Sequence, residues 1–172
     1  SSITIGESGD TITLPSTATL TNFPTNTPLV QAGFSSASQS ISSGADTEIV
    51  YTTITKETPS GKFSTSTGRF TPGVTGFYYV SALARINGGN NSSEFGNLQI
   101  RLNGQASTNG TQQGATYRRY QDTGDHNSFE VSCILELTSA TDYISAFIYQ
   151  NQGSSKTLEA DHTNFSAYRL IT

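Results

Sequence analysis

An antiparallel all-β sandwich is the fold class that this sequence predicts, and three observations lead there. No window of the 172 residues repeats apolar positions at helical spacing for more than one turn. β-Branched and aromatic residues dominate the apolar set. Turn clusters recur at about 8–12-residue spacing, the rhythm of short strands in a sandwich.

The first segment, SSITIGESGDTITLP, reads as two short strands, Ile3–Ile5 and Thr11–Leu14, around a Gly/Asp turn. TNFPTNTP (21–28) follows, and its two prolines donate nothing to a strand ladder. Residues 1–28 are therefore expected to form an extended β segment or stalk junction, too short to fold alone and packed on neighbouring chains or upstream sequence. Residues 29–172 read as the folded head. LVQAGFSSASQ holds its first strand, and DTEIVYTTITKE a second with Ile49, Tyr51 and Thr53 on one side. GRFTPGVTGFYYVSALARI (68–86) places turn residues before a strand with Tyr78, Val80, Ala82, Ala84 and Ile86 on one face and Phe77, Tyr79, Ser81 and Leu83 on the other. NLQIRLNG alternates Leu98, Ile100 and Leu102 against Gln99 and Arg101, then stops at Asn103-Gly104, a strong tight-turn signal. FEVSCILEL aligns Phe129, Val131, Cys133, Leu135 and Leu137. YISAFIYQ is apolar on both faces, and NFSAYRLIT sets Phe165 against Tyr168 and Leu170.

Three of these strands are double-faced. Antiparallel sandwiches alternate apolar-in and polar-out, so a strand apolar on both faces implies cover on both. No helices supply a second layer, which points to another copy of the same sheet. Phe77, Tyr79, Phe147, Tyr149 and Tyr168 are the interface candidates.

Composition narrows the function. Apolar residues make up only 33% of the chain and charged residues 13%, so the surface is wetted mainly by hydroxyls and amides, while eight Tyr and nine Phe argue against disorder. A net charge of −4 and a pI near 5.0 give no general pull toward phosphate backbones. The one compact basic cluster, YRRY at 117–120, is too short for a nucleic-acid stripe. A lone cysteine, Cys133, closes no internal disulfide and reads as a small buried hydrophobe. No run reaches membrane-spanning length, and no signal-peptide pattern opens the chain. The absence of methionine leads us to expect a piece of something longer.

The stretch FSTSTGRFTPGVTGFYYV (63–80) closely resembles the signature of complement C1q-like heads, the tumour-necrosis-factor-type jelly rolls: Phe63, Thr67, Gly68, Phe70, Thr71, Pro72, Gly76, Tyr78 and Tyr79 match in type and spacing. NLQIRLNG, SFEVSCILELTSATDYISAFI and NFSAYRLI resemble later strands of that family, so the likeness covers about Leu29 to Thr172. It implies a jelly-roll sandwich, a compact homotrimer, ligand loops at one end and an N-terminus leading to a stalk. Three departures stand out. Thr141-Asp142 replaces the family's Gly-Asp, Ala167 replaces a glycine, and Arg169 replaces an apolar residue on the Phe165 face, where a bulge or early exit is expected. The N-terminal ITIGESGDTITLP is similar to repeats of bacteriophage and marine-virus fibres.

Catalysis is not expected. His126 and His162 each follow an aspartate, yet the chain has no G-x-S-x-G turn and no zinc-like His/Cys spacing, so two exposed loop histidines are the reading. Asp122 and Asp125 offer oxygens of the kind calcium takes, as do Glu159 and Asp161, but a hard cation wants about six ligands and solvated turn carboxylates fit these pairs better. Tyr117, Arg118, Arg119 and Tyr120 suit stacking on sugar rings and hydrogen bonding to hydroxyls, or equally a strand with tyrosines inward and arginines in water. Gln150 and Asn151 offer loop amides of similar use. The expected function is non-enzymatic adhesion by a trimeric head at the C-terminal end of a viral fibre or decoration protein, on the virion surface. Such a head binds host-surface glycan or protein by multivalent contacts, with no nucleic acid and no membrane insertion. A secreted C1q-domain lectin of cellular origin and a purely structural trimerisation module remain open.

Overall fold

The computed structural model of the chain describes residues 26–36, 39–88, 95–105, 112–119 and 126–171. The strands expected at Ile3–Ile5 and Thr11–Leu14, and nearly all of segment 1–28, lie outside the described residues.

The alternation seen in the sequence between Gly76 and Ile86 is realised as the longest central strand, β7 (Gly76–Ile86). Its neighbours are β10 (Asn127–Leu137) and β13 (Asn164–Arg169); β1 (Leu29–Gly33) and then β4 (Thr53–Thr58) complete a five-stranded antiparallel sheet. The opposing sheet runs β5 (Phe63–Ser64), β6 (Arg69–Phe70), β11 (Ile144–Gln150), β8 (Phe95–Leu102), β9 (Gln112–Arg119), with β3 (Thr47–Glu48) also on β11. A small ribbon of β2 (Ser40–Ile41) and β12 (Lys156–Thr157) sits beside them. Consecutive long strands cross between the two sheets, from β7 to β8, β9 to β10 and β10 to β11, which is the connectivity of a jelly roll.

Tyr78, Val80, Ala82, Ala84 and Ile86 are all fully buried, as their alternation predicts. Small residues make room for large ones. Ala82 lies between Val131 and Phe165 in register, and Ala84 lies opposite Phe129. The two inner faces thus interdigitate as a close-packed core requires. Phe129, Val131, Leu135, Leu137, Leu98, Ile100, Ile144, Ala146 and Ile148 complete the expected inner rows, while Cys133 is half-buried at the core's margin rather than inside it. Burial pushes its thiol up to about 11, so it stays protonated near neutrality.

Several expectations are corrected. DTEIVYTTITKE is not one strand: it breaks into β3 and β4, which belong to opposite sheets, with buried Ile49 and Tyr51 at the crossing. Of the bulge or early exit expected at Arg169, no bulge forms, since Arg169 pairs in register with Tyr78, but β13 does end there; the register shifts instead between Gln31 and Ala32 and between Ile100 and Arg101.

At the tight turn after β8, Asn103 and Gly104 both have positive φ, as the Asn-Gly signal predicts. The Asn103 amide then donates to the Asp142 carboxylate (2.9 Å), which also accepts the backbone N–H groups of Thr138 (3.0 Å) and Ser139 (2.8 Å), while Tyr143 N–H donates to Asn103 Oδ1 (2.9 Å). Asp142 therefore latches two turns together. These bonds hold its carboxyl below the usual carboxylate range.

Tyr51 sits among Phe34, Phe63 and Phe165, with ring centroids at 5.8, 6.3 and 5.7 Å. Its hydroxyl is buried without a partner, and burial raises its pKa strongly.

Three outcomes follow. Tyr51→Phe removes an unpaired buried hydroxyl at constant ring shape, so denaturant unfolding should show unchanged or higher stability, by up to about 1–3 kcal/mol. Gly68→Ala should be strongly destabilising, by more than about 2 kcal/mol, because the residue has positive φ and a Cβ would lie 2.0 Å from the Ile49 carbonyl oxygen; Gly44→Ala, also at positive φ but in open space, should cost only about 1 kcal/mol. A depressed folded-state pKa contributes stability above the unfolded value of about 3.9 and loses it as pH falls through the folded value. The Asp142→Asn variant should consequently show a shallower loss of stability than the parent as pH is lowered from about 4 toward 2 in unfolding titrations.

Candidate functional site

The registers give the sandwich two unlike ends. The chain enters beside the end of β13, where Arg169 N–H donates to the Pro28 carbonyl (3.1 Å). The Asp142 latch lies at this same end, since it follows Leu137 at the end of β10, which pairs with Gly76 beside the Tyr78–Arg169 pair. The opposite end carries Gly33, Arg85, Asn127, Gln150, Phe95, Arg119 and Asn164. We call these the entry end and the far end.

The expected ligand residues that the structure describes lie toward the far end, with different fates. Tyr117, Arg118 and Arg119 occupy β9, an outer strand of the six-stranded sheet, opposite Asn97, Gly96 and Phe95. Tyr120, Asp122 and Asp125 lie outside the described residues. Gln150 is fully buried: its amide donates to the carbonyls of Ile41 (3.2 Å) and Ser154 (2.9 Å) and its oxygen accepts Gln152 N–H (2.7 Å). That side chain is committed to holding the loop after β11. Asn151 Oδ1 accepts Phe95 N–H (2.7 Å), tying the same loop to β8.

The two histidines, read from sequence as separate loop residues, line one cleft. It has a volume of about 370 Å³ and is walled by Arg85, Asn87, His126, Glu159, Asp161 and His162. A 3₁₀ turn, Ala160–His162, brings Asp161 and His162 to its rim, both exposed. Glu159 is the hub. One of its oxygens is 2.8 Å from Arg85 Nε and the other 2.6 Å from His126 Nδ1, while its backbone N–H donates to the Arg85 carbonyl (2.8 Å). Each Glu159 oxygen thus has one nitrogen partner and keeps a further lone pair for another donor. Among the described residues, no three His, Cys, Asp or Glu side chains converge as a metal site. Nothing in the local sequence announces this cleft, because its walls come from β7, the start of β10 and the segment before β13.

The outward faces of the two sheets differ. On the five-stranded sheet one row runs Ile134, Tyr79, Tyr168, Leu29, Thr58, strand by strand. The Tyr79 and Tyr168 rings lie 5.4 Å apart. Phe77 stands in the next row, beside Glu136. Ile134 is 60% exposed, Phe77 40% and Tyr168 37%. The following row is polar: Ser132, Ser81, Ser166, Gln31, Lys56. A band of apolar side chains thus crosses the sheet near the entry end.

The six-stranded sheet covers its own outward aromatics. The Arg101 guanidinium lies 4.1 Å over the Phe147 ring, held by Gln99 Oε1 (2.8 and 2.6 Å) and by Asp46. Arg69 lies 4.4 Å over Tyr143 while paired through two nitrogens with Glu48 (2.8 and 2.9 Å). Phe95 stacks on Tyr149 at 5.4 Å. Gln99 and Arg101, which alternate with the apolar row of β8, face outward but are buried at 7% and 4% exposure. The five interface candidates are therefore divided: Phe77, Tyr79 and Tyr168 on one sheet, Phe147 and Tyr149 on the other.

The Glu159 hub makes a measurable prediction. In a double-mutant cycle, Arg85→Gln and Glu159→Gln should show a coupling of about 1 kcal/mol in unfolding free energy, since the pair is mostly but not wholly sheltered.

No protein-family model matches the chain, and no curated protein does. Solved structures do match. An Eiger TNF from S. frugiperda superposes with a TM-score of 0.57 at 14% identity, over 83% of this chain and 92% of its own. The globular domain of zebrafish complement 1qA gives 0.55 at 17% identity, over 84% and 98%. Murine APRIL at pH 5.0 gives 0.59 at 14% identity, over 83% and 98%. At these identities the likeness is one of architecture, and the chain has the jelly-roll fold of tumour-necrosis-factor and C1q globular domains.

Proposed function

We propose that this chain is a non-enzymatic, homotrimeric binding head carried on a longer fibre-like or appendage protein, with its far end presented to a host-surface glycan or protein. The observation that carries the reading is the outward face of the five-stranded sheet. It leaves Ile134, Phe77 and Tyr168 in water, whereas the comparable aromatics of the other sheet are covered by Arg101 and Phe95. Fully covering one such side chain is worth about 1.5–3 kcal/mol, so a band of them favours association. The two edges of the band are unlike. Glu136 stands exposed on β10 at one edge and Thr58 exposed on β4 at the other. Unlike edges suit a heterologous contact that closes into a ring. Three is the number that the resemblance of residues 63–80 implies. Such a ring places three copies of the far end on the side away from the entry of the chain, where weak identical sites gain avidity through effective concentration. A viral origin is the reading favoured by the N-terminal resemblance taken together with the C1q-like head, the absence of methionine and the charge-poor composition.

Light scattering of the purified chain should return three times the 18.3 kDa chain mass. Ile134→Lys combined with Tyr168→Glu should return a single-copy mass with an unchanged β-type circular dichroism spectrum. A parent protein that is monomeric at about 10 μM, well above the dissociation constant of a stable assembly, would overturn the trimer. Binding of the intact trimer to host cells or a glycan array, absent in the single-copy variant, separates an adhesive head from a purely structural module.

A further inference from the structure

We infer that the far-end cleft around Glu159 is a saccharide site, taking a neutral, polyhydroxylated sugar residue through its vicinal hydroxyls. This rests on the far end being the binding end and adds where the ligand sits and what it is.

The argument begins with what the cleft offers. Its volume of about 370 Å³ lies within the ~300–1,000 Å³ range of small-ligand pockets. Its walls present donors and acceptors close together: the Arg85 guanidinium, the Asn87 amide and the two imidazoles beside the carboxylates of Glu159 and Asp161. Glu159 is fixed by its two partners at 2.8 and 2.6 Å, so it and Arg85 form a prearranged acceptor–donor pair rather than two mobile ions. Preorganisation lowers the ordering cost of binding.

Other ligand classes fit less well. An anion would need the charge of Arg85, which is already paired with Glu159, and would meet Asp161 at the rim. A divalent cation finds no convergent set of three ligands among the described residues and would face the Arg85 guanidinium. An apolar ligand finds little to bury against, since Leu158, the one large apolar side chain in the lining, is fully buried. A hydroxyl both gives and accepts hydrogen bonds. Two on adjacent carbons match a wall in which donor and acceptor alternate.

The test uses the whole chain with its histidines labelled, so that the ring signals of His126 and His162 report directly on the cleft. At pH 7 it is titrated with glucose, galactose, mannose and N-acetylglucosamine, with N-acetylneuraminic acid, and with calcium chloride. At least one neutral sugar should shift both histidines saturably, with a millimolar-range dissociation constant of about 1–20 mM. Asn87→Ala and Asp161→Ala, both at exposed positions, should each weaken that binding about fivefold, the scale of one hydrogen bond, while Glu136→Ala near the entry end leaves it unchanged. A methyl glycoside that binds as well as the free sugar would identify the ligand as a residue of a glycan; one that fails to bind would identify a free sugar, and either supports the polyhydroxy chemistry. Silence of both histidines toward every neutral sugar at about 100 mM would overturn the proposal, as would tighter binding of the acidic sugar or of calcium. The mass measurement is independent of these titrations, so a monomer that binds sugar and a trimer that does not are distinguishable.

Discussion

A β-sandwich has four sheet faces and one interior, and this chain carries more apolar surface than that interior can hold. The constraint is sharpest at β7, paired on both sides and bearing Tyr78, Val80, Ala82, Ala84 and Ile86 on one face with Phe77, Tyr79 and Leu83 on the other. The inner face is satisfied by small-against-large packing with Phe165 and Phe129. The outer surplus is treated in two ways. On the six-stranded sheet, long cationic side chains lie flat over the rings and return their charge to Glu48 and Asp46. On the five-stranded sheet no such lid forms over Phe77, Ile134 and Tyr168 among the described residues, and the three side chains are exposed.

The division between ends is as physical as that between faces. Near the chain's entry, Asp142 and Asn103 close two turns onto each other with four hydrogen bonds, leaving little to offer a ligand. At the far end, Gln150 and Asn151 spend their amides on the loop scaffold, while Arg85, His126 and Glu159 wall an open polar recess. The hydrogen-bonded latch and the polar recess are thus separated by the length of β7.

Strand alternation made the architecture legible. The inner faces of β7, β8, β10 and β11 read directly from period-two patterning, and Asn103-Gly104 read as the turn it is. DTEIVYTTITKE misled because a segment crossing between sheets buries Ile49 and Tyr51 as a continuous strand would, and alternation carries no information about which sheet supplies the partner. The second face of β11 reads as bare from the pattern because pattern reading counts Arg101 as polar, whereas its planar cation and long stem shelter an aromatic ring. The cleft was least legible of all. His126 and Glu159 are neighbours only through tertiary packing, and two Asp-His dipeptides in separate loops say nothing about meeting.

The arginine lids on the six-stranded sheet have a consequence for growth. A sandwich with greasy side chains bare on both outer surfaces would offer every assembled particle a fresh adhesive surface and would polymerise layer upon layer. Here the guanidinium groups of Arg69 and Arg101 lie over the rings of one surface and keep it wettable, so that surface offers little for a further layer to stack on.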